Sequence, residues 1–210
     1  MELNKLSQKL QFLLKSDLPG QSSQWRMRVK TDKIFNFNTT EENAIQSAIL
    51  ILLYEKCGKI YFLLTERTHT VEHHRGQISL PGGVREINEK LSSTATRETN
   101  EEIGINADDI DVMGALSPLF VPVTGFIIHP FVGVINNNFE LHPEPGEVAN
   151  VFEVDVDELI NDDNELEEKR NLRGYDMDIP YFLLSKHKVW GATAMILSEF
   201  KTVLKEVFDA

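Results

Sequence analysis

The stretch that decides the fold, Gly83–Ile105, reads GVREINEKLSSTATRETNEEIGI. It follows a Pro-Gly turn, and its second half is typical of an amphipathic helix with Ser92 as N-cap and Gly104 in a left-handed C-cap. A stripe of apolar and neutral side chains at four-residue spacing would face a core: Leu91, Ala95, Thr99 and Ile103. The sequence therefore predicts a loop followed by a helix with one buried face.

Three carboxylates lie off this stripe. Glu98, Glu101 and Glu102 stand at offsets i, i+3 and i+4, so a helix stacks them on one face. Like charges at these offsets repel by roughly 0.2–0.5 kcal/mol per pair, which favours either solvent exposure or a counterion. Arg97 lies eight residues after Glu89 in the sequence, a separation that allows an ion pair between the loop and the helix. The pattern indicates an oxygen-only site for Mg²⁺ or Mn²⁺, and the alternative is a solvated acidic helix face.

Composition limits the classes of partner. The 210-residue chain has 21 Lys and Arg against 33 Asp and Glu, a formal net charge of −12. This charge argues against a nucleic-acid polymer or an anionic membrane as partner, but permits a small phosphorylated substrate when bound cations reverse the local field. Cys57 is the only cysteine, which excludes a disulfide framework. Since no signal-peptide pattern and no apolar run of bilayer length occur, we expect a cytoplasmic protein.

Hydrophobic periodicity predicts the other elements. They are an amphipathic helix over 3–16, a hairpin of strands over 44–54 and 60–65, strands over 110–116, 126–135, 148–154 and 175–184, a short helix from Asp155, and a C-terminal helix opening at 189–193. Pro130 predicts a sheet edge or a break within its strand. The charged segment 162–170 predicts an exposed insertion. Strands that alternate with helices indicate an α/β sandwich.

Gly83–Ile105 resembles the signature of the Nudix hydrolase family, G-x5-E-x7-R-E-U-x-E-E-x-G-U, in which U is aliphatic. The matching positions are Gly83, Glu89, Arg97, Glu98, Glu101, Glu102, Gly104 and Ile105. Thr99 departs at the first U position, where threonine is nearly isosteric with valine. The resemblance implies a Nudix-type α/β/α sandwich with a mixed curved sheet over residues 41–210. Residues 1–40 would form an N-terminal helix and extension packed on this body.

The resemblance also implies a metal-dependent pyrophosphohydrolase acting on a small nucleoside diphosphate-type substrate. One to three Mg²⁺ or Mn²⁺ ions would be held by the Gly83 carbonyl, Glu98, Glu101 and Glu102. Glu89 and Arg97 would clamp the loop to the helix as a structural pair. The water proton would pass to one of the helix carboxylates or to Glu147, since many Nudix enzymes supply a further carboxylate from this region. A homodimer is compatible with the family.

A second motif resembles the coenzyme A-type Nudix hydrolases, L-L-T-x-R-[SA]-x3-R-x3-G-x3-F-P-G-G. Matching positions are Leu63, Leu64, Thr65, Arg67, Gly76, Pro81, Gly82 and Gly83, and the departures are Thr68, Glu72 and Leu80. Glu72 stands where the motif has its second arginine, and Arg75 could take that role. This motif implies substrate binding by Arg67, Arg75 and Gly82. It also implies cleavage of coenzyme A or its thioesters to 3′,5′-ADP and (acyl-)4′-phosphopantetheine.

Two alternatives remain open. The first is a hydrolase of ADP-ribose or another nucleoside diphosphate derivative, which the charge reversal at Glu72 favours. The second is a non-hydrolytic nucleotide-binding module with the same fold. The complete carboxylate set argues against this module, because a protein without turnover does not need all three side chains.

Overall fold

The computed structural model describes residues 2–32, 37, 39–68, 77–172 and 174–209. A β-hairpin lies at its centre, formed by β1 (Ile45–Lys56) and β2 (Lys59–Arg67), which pair antiparallel. The residues between them, Cys57 and Gly58, have φ of 53° and 75°. Two consecutive left-handed residues are typical of the tight turns that match the twist of paired strands. The predicted hairpin is confirmed.

Six further strands complete the main sheet around this hairpin. They are β3 (Ile78–Ser79), β4 (Gly82–Val84), β5 (Asp111–Ala115), β6 (Leu119–Val121), β7 (Phe126–Val134) and β8 (Val148–Asp155). The strand order is β3-β2-β1-β7-β5, with β4 also paired to β1, β6 to β7 and β8 to β2. The β1–β7 pair is parallel, and the other pairs of this sheet are antiparallel. The predicted mixed sheet is therefore confirmed.

The prediction that Pro130 marks an edge or a break is wrong. Pro130 lies inside β7, which pairs with β1 along its whole length and with β5 and β6 on its other side. The Leu116 N–H donates to the Pro130 carbonyl at 2.8 Å, between the end of β5 and the start of β6. The missing proline N–H thus faces the gap between these two strands, where no strand needs it as a donor.

Helices cover both faces of the main sheet. They are α1 (Leu3–Leu13), α2 (Gln21–Gln24), α3 (Leu91–Ile103), α4 (Val156–Ile160) and α5 (Ala192–Asp209). On one face α3 packs in a cluster that includes Leu50 and Leu63, and on the other face α1 and α5 share a larger cluster with Leu53 and Phe62. This is the predicted α/β/α sandwich, and each core lies between the sheet and one helix layer.

A second, three-stranded sheet includes most of the charged segment 162–170, which is a strand rather than a loop insertion but has no buried residue, and it confirms the predicted strand over 175–184. Its strands, β9 (Glu165–Leu172), β10 (Tyr175–Leu184) and β11 (His187–Trp190), pair antiparallel in the order β11-β10-β9. The charged side chains of β9 are accommodated because it is an edge strand, paired to β10 alone, and none of its residues is buried. The predicted C-terminal helix begins at Ala192, within the predicted opening at 189–193, because the residues up to Trp190 belong to β11.

The N-terminal residues pack against this body. Leu3, Leu6 and Leu10 of α1 are buried in the larger core cluster. Glu199 of α5 is fully buried and accepts hydrogen bonds from the backbone N–H of Gly20 (3.0 Å) and from the Gln24 amide (2.8 Å). The division into residues 1–40 and 41–210 stays a prediction.

Within the described ranges, no helix has the length and apolarity needed to cross a membrane.

Candidate active site

Helix α3 is positioned by its buried stripe. Ala95, Thr99 and Ile103 are fully buried against the sheet, and Gly104 ends the helix with φ of 77°. The predicted N-cap at Ser92 is wrong. Lys90 occupies that position, because the Thr94 N–H already donates to the Lys90 carbonyl at 2.9 Å and brings residue 91 into the first turn.

The start of α3 is held to the preceding loop by Glu89 and Arg97. Arg97 donates to Glu89 from Nε (2.9 Å) and Nη2 (3.1 Å), and its Nη2 also donates to the Val84 carbonyl (3.1 Å). Glu89 further accepts from the Glu86 N–H (3.1 Å) and the Thr94 hydroxyl (2.8 Å). A two-point guanidinium–carboxylate pair is among the stronger ionic contacts in proteins. The sequence pattern carries no signal for Thr94, because its hydroxyl meets Glu89 only through the fold of the loop.

We expect Glu89→Gln to destabilise the protein in a pH-dependent way. Arg97 first, with the Glu86 N–H and Thr94, lowers the pKa of Glu89 to about 2. Because the folded-state pKa is depressed, this stabilisation is present above about pH 4.5 and is lost as pH falls toward about 2. Thermal unfolding at about pH 7 should show a Tm roughly 5 °C below wild type, and this difference should shrink at about pH 3.5. Glu86→Gln in the same loop is the control, and an equal pH response from both variants would contradict the clamp.

The three helix carboxylates have different surroundings. Glu101 is exposed and accepts from Arg97 at 2.9 Å. Glu98 also accepts from Arg97 (2.8 Å), and its carboxylate fills the space above Gly83, where a Cβ would overlap it. Glu102 is only 5% exposed and accepts from the Gly82 N–H at 3.1 Å. The two glycines of the turn thus lie directly against two of the carboxylates.

The loop over 144–147 closes the site from the other side. The Glu144 N–H donates to the Glu102 carbonyl (2.9 Å), and the Thr68 N–H donates to the Glu147 carbonyl (3.0 Å). Burial is the main cause that raises the pKa of Glu98 and Glu102, and the charge of Glu147 adds to it at both, so this carboxylate lies near the helix. Arg67, at the end of β2, acts in the opposite direction on Glu102. Arg75, the other predicted arginine, lies outside the described residues.

Burial and mutual repulsion disfavour the charged forms of Glu98 and Glu102. Burial is the main cause that raises the pKa of Glu102 to about 7, with smaller contributions from the charges of Glu98 and Glu147. Burial also raises the pKa of Glu98, while Arg97 works against that shift. Glu98 and Glu102 therefore retain protons more strongly than free glutamate side chains unless a cation joins them.

The donor set fits a divalent cation in its chemistry. Carboxylate and carbonyl oxygens are the ligands that Mg²⁺ and Mn²⁺ prefer, and the Gly83 backbone lies against Glu98 with no side chain between. Across the part of the chain that the structure describes, no three acidic, histidine or cysteine side chains are gathered at coordinating positions. Arg97 instead binds Glu98 and Glu101. A cation would have to compete with this guanidinium for both side chains.

Comparison with known proteins gives the family. The NUDIX domain model matches residues 44–174. The chain belongs to the Nudix hydrolase family. An uncharacterized Nudix hydrolase, NudL, of Photorhabdus laumondii is 33% identical over 159 residues, which cover 75% of this chain and 84% of that protein. Nudix hydrolase 15, mitochondrial, of Arabidopsis thaliana is 35% identical over 169 residues, covering 77% of this chain and 59% of that protein.

The fold of this Nudix hydrolase also occurs among solved structures. A MutT/nudix family protein from Enterococcus faecalis aligns with a TM-score of 0.50 and 14% identity, over 96% of this chain and 74% of that one. At this identity the likeness concerns the fold alone. Membership of the family makes the chain an enzyme of the Nudix type, a family that typically uses divalent metals and acts on nucleoside diphosphate derivatives.

Proposed function

We propose that this Nudix hydrolase cleaves the diphosphate of coenzyme A or its thioesters, to 3′,5′-ADP and (acyl-)4′-phosphopantetheine, with Mg²⁺ or Mn²⁺ as cofactor. The observation that carries the proposal is the position of Arg67. It belongs to the upstream motif that resembles the coenzyme A-type enzymes, and its positive charge reaches Glu102 in the carboxylate cluster. Among the described residues, its guanidinium forms no hydrogen bond or ion pair, so its donors are available to a diphosphate.

The cofactor would be held by the residues that flank the turn: the Gly83 carbonyl, Glu98, Glu101 and Glu102. When bound, a divalent cation neutralises phosphate charge and lowers the pKa of a water molecule. Glu89 and Arg97 keep the loop and helix in register, so that the ligands on both move as one unit. Gly82 lets the backbone approach the substrate closely, and Arg67 with Arg75 would orient the phosphates.

The proton acceptor is proposed among the carboxylates that face the site. Glu147 is the candidate from outside the helix, because its loop is hydrogen-bonded to both Thr68 and the end of α3. These contacts hold the backbone of Glu147 beside the helix, which supports its candidacy. Proton transfer requires such positioning, since the acceptor must lie within hydrogen-bond reach of the water.

A second candidate substrate class is ADP-ribose or another nucleoside diphosphate derivative. It is favoured by Glu72, which places a negative charge where the coenzyme A-type motif has an arginine. Glu72 lies outside the described residues.

A substrate panel tests the proposal. Coenzyme A, an acyl-coenzyme A, ADP-ribose and NADH are incubated with the protein and Mg²⁺ or Mn²⁺, and the products are separated by chromatography. We expect 3′,5′-ADP to accumulate from the first two substrates and kcat/KM to be highest for them. Glu101→Gln is the control for a contaminating hydrolase and should be inactive. Preferential release of AMP from ADP-ribose would replace the proposal with the second candidate.

A further inference from the structure

Two described arginines have no partner in the fold. The others are engaged: Arg26 with Glu165, Arg28 over the Trp25 ring, Arg97 with Glu89, and Arg170 with Glu168. Among the residues that the structure places, the guanidiniums of Arg67 and Arg85 form no hydrogen bond or ion pair. In a chain with a net charge of −12, a guanidinium that pairs with no carboxylate remains available to an anionic ligand. Arg67 already has a place in the proposed function, whereas Arg85 has none.

Arg85 lies at the Glu98 end of the carboxylate cluster. Its backbone N–H donates to the Gln46 carbonyl at 2.9 Å, which continues the pairing of β4 with β1 by one step. Side chains two positions apart on a strand share a face, so Arg85 lies on the same face as Gly83. The Glu98 carboxylate covers Gly83 on that face. Arg67, by contrast, acts on Glu102.

The strands beside Arg85 carry a neutral polar pair. Gln46 and His129 lie on β1 and β7, on this same face, and His129 Nε2 lies 2.7 Å from Gln46 Oε1. The Gln46 amide nitrogen donates to the Ala44 carbonyl at 3.5 Å, so Gln46 Oε1 faces the ring, where it accepts in the tautomer that carries the proton on His129 Nε2. Burial first, and then the charge of Arg85, lower the pKa of His129. Both effects favour the uncharged ring, so Arg85 is the positive group beside Gln46 and His129.

We propose that Arg85, with Gln46 and His129 beside it, binds a phosphate monoester that the substrate carries outside the diphosphate it loses. The fork of the guanidinium matches phosphate oxygens, and neither neighbour brings a carboxylate that would compete for it. The inference rests on the proposed function, because coenzyme A carries such a group as the 3′-phosphate of its ribose. Arg67 would then contact the scissile diphosphate, and Arg85 would select the phosphorylated nucleotide half.

Equilibrium binding tests the subsite without turnover. Calorimetry measures Kd for 3′,5′-ADP and for 5′-AMP, which differ by the 3′-phosphate alone. Arg85→Ala should weaken 3′,5′-ADP about 10-fold and leave 5′-AMP within about 2-fold, since a charge-assisted contact is lost for one ligand only. Lys90→Ala removes one exposed charge from the same loop and should change neither Kd. Equal weakening of both ligands by Arg85→Ala, or the same selective loss in Lys90→Ala, would overturn the subsite.

The failure of this inference and that of the proposed function can be told apart. Hydrolysis of coenzyme A and of 3′-dephospho-coenzyme A is compared in wild type, Arg85→Ala and Arg85→Lys. An equal fall of kcat/KM for both substrates in Arg85→Ala rejects the subsite and leaves the function intact. If wild type cleaves neither substrate but still binds 3′,5′-ADP through Arg85, the function fails and the subsite stands. Arg85→Lys keeps the charge, so it should retain part of the preference for the phosphorylated substrate.

Discussion

Gly83→Ala should abolish most of the activity while the protein stays folded. A Cβ at this position would overlap the Glu98 carboxylate, which is the mobile end of a flexible side chain and can rotate away. The fold therefore adapts at small cost, but Glu98 leaves the place where the proposal requires a metal ligand. We expect a Tm within about 3 °C of wild type and a kcat/KM lower by roughly 100-fold, as for other displacements of about 1 Å in a catalytic group.

Gly82→Ala is the matched comparison one residue earlier, and it should fail in the opposite way. Here a Cβ would overlap the Ala48 carbonyl oxygen and the Ile49 Cα, which are backbone atoms of β1 and cannot rotate away. Gly82 also has φ of 151°, which side chains rarely adopt. We expect a loss of roughly 3 kcal/mol, or a Tm about 10 °C lower. If Gly83→Ala proved as unstable as Gly82→Ala, the assignment of Glu98 to the space above Gly83 would be wrong.

Helix α3 shows how far local pattern predicts this fold. The stripe of Ala95, Thr99 and Ile103 is buried as its four-residue spacing predicts, because one helix face must meet the sheet. The first residue of the helix was not predictable in the same way. Lys90 has no capping side chain, and the start is fixed instead by Glu89, which is bound by Thr94 and Arg97 from within the helix.

The edge strand of the second sheet escapes prediction for a different reason, although the central strand, β10, lies where the sequence predicts it, at 175–184. The edge strand, Glu165–Leu172, is rich in charge and shows no buried face, so its composition resembles that of a solvated loop. The turn between the other two strands of this sheet consists of Ser185 and Lys186, with φ of 45° and 70°. These residue types are not the usual signals of such a turn. The pairing of this edge strand depends on backbone hydrogen bonds, which the pattern of its side chains does not reveal.

In the candidate site, too, residues placed by local spacing were predictable, and residues placed by contacts between distant segments were not. The spacing of Glu98, Glu101 and Glu102 within one helix places them together without further information. The approach of Glu147 and Arg67 depends on contacts between distant segments, such as the hydrogen bond from the Thr68 N–H to the Glu147 carbonyl. Arg85 is the clearest case, because only the fold reveals that its guanidinium forms no hydrogen bond or ion pair with the residues that the structure describes.

Glu102→Gln should raise the stability of the metal-free protein at alkaline pH and remove its response to metal. The pKa of Glu102 is raised to about 7 by burial, from an ordinary value of 4.5. A raised pKa in the folded state means that the protonated form is favoured, so stability falls as pH rises from about 4.5 and the full penalty is present above about pH 7. A shift of this size corresponds to about 3 kcal/mol. Glutamine avoids the penalty and can still accept from the Gly82 N–H.

The measurement is a pair of melting curves at about pH 5 and about pH 8.5, each with chelator and with Mg²⁺ or Mn²⁺. With chelator, Glu102→Gln should melt close to wild type at the lower pH and roughly 5–10 °C above it at the higher pH. The general repulsion within this acidic chain is nearly the same in both proteins and cancels in the difference. Metal should raise the Tm of wild type at the higher pH and leave the variant unchanged, because binding to the folded state alone stabilises it.

The variant should at the same time lose at least about 100-fold in kcat, so that it is more stable and less active than wild type. Glu101→Gln is the control for the pH effect. This variant removes an exposed carboxylate and keeps the buried charge of Glu102, so it should lose the same stability as wild type between the two pH values. A Glu102→Gln protein whose Tm still rises with metal, or whose stability tracks that of wild type at both pH values, would show that Glu102 is not the buried charge that the cation relieves. Opposite changes in stability and activity at one residue are the expected mark of a carboxylate kept buried for its ligand rather than for the fold.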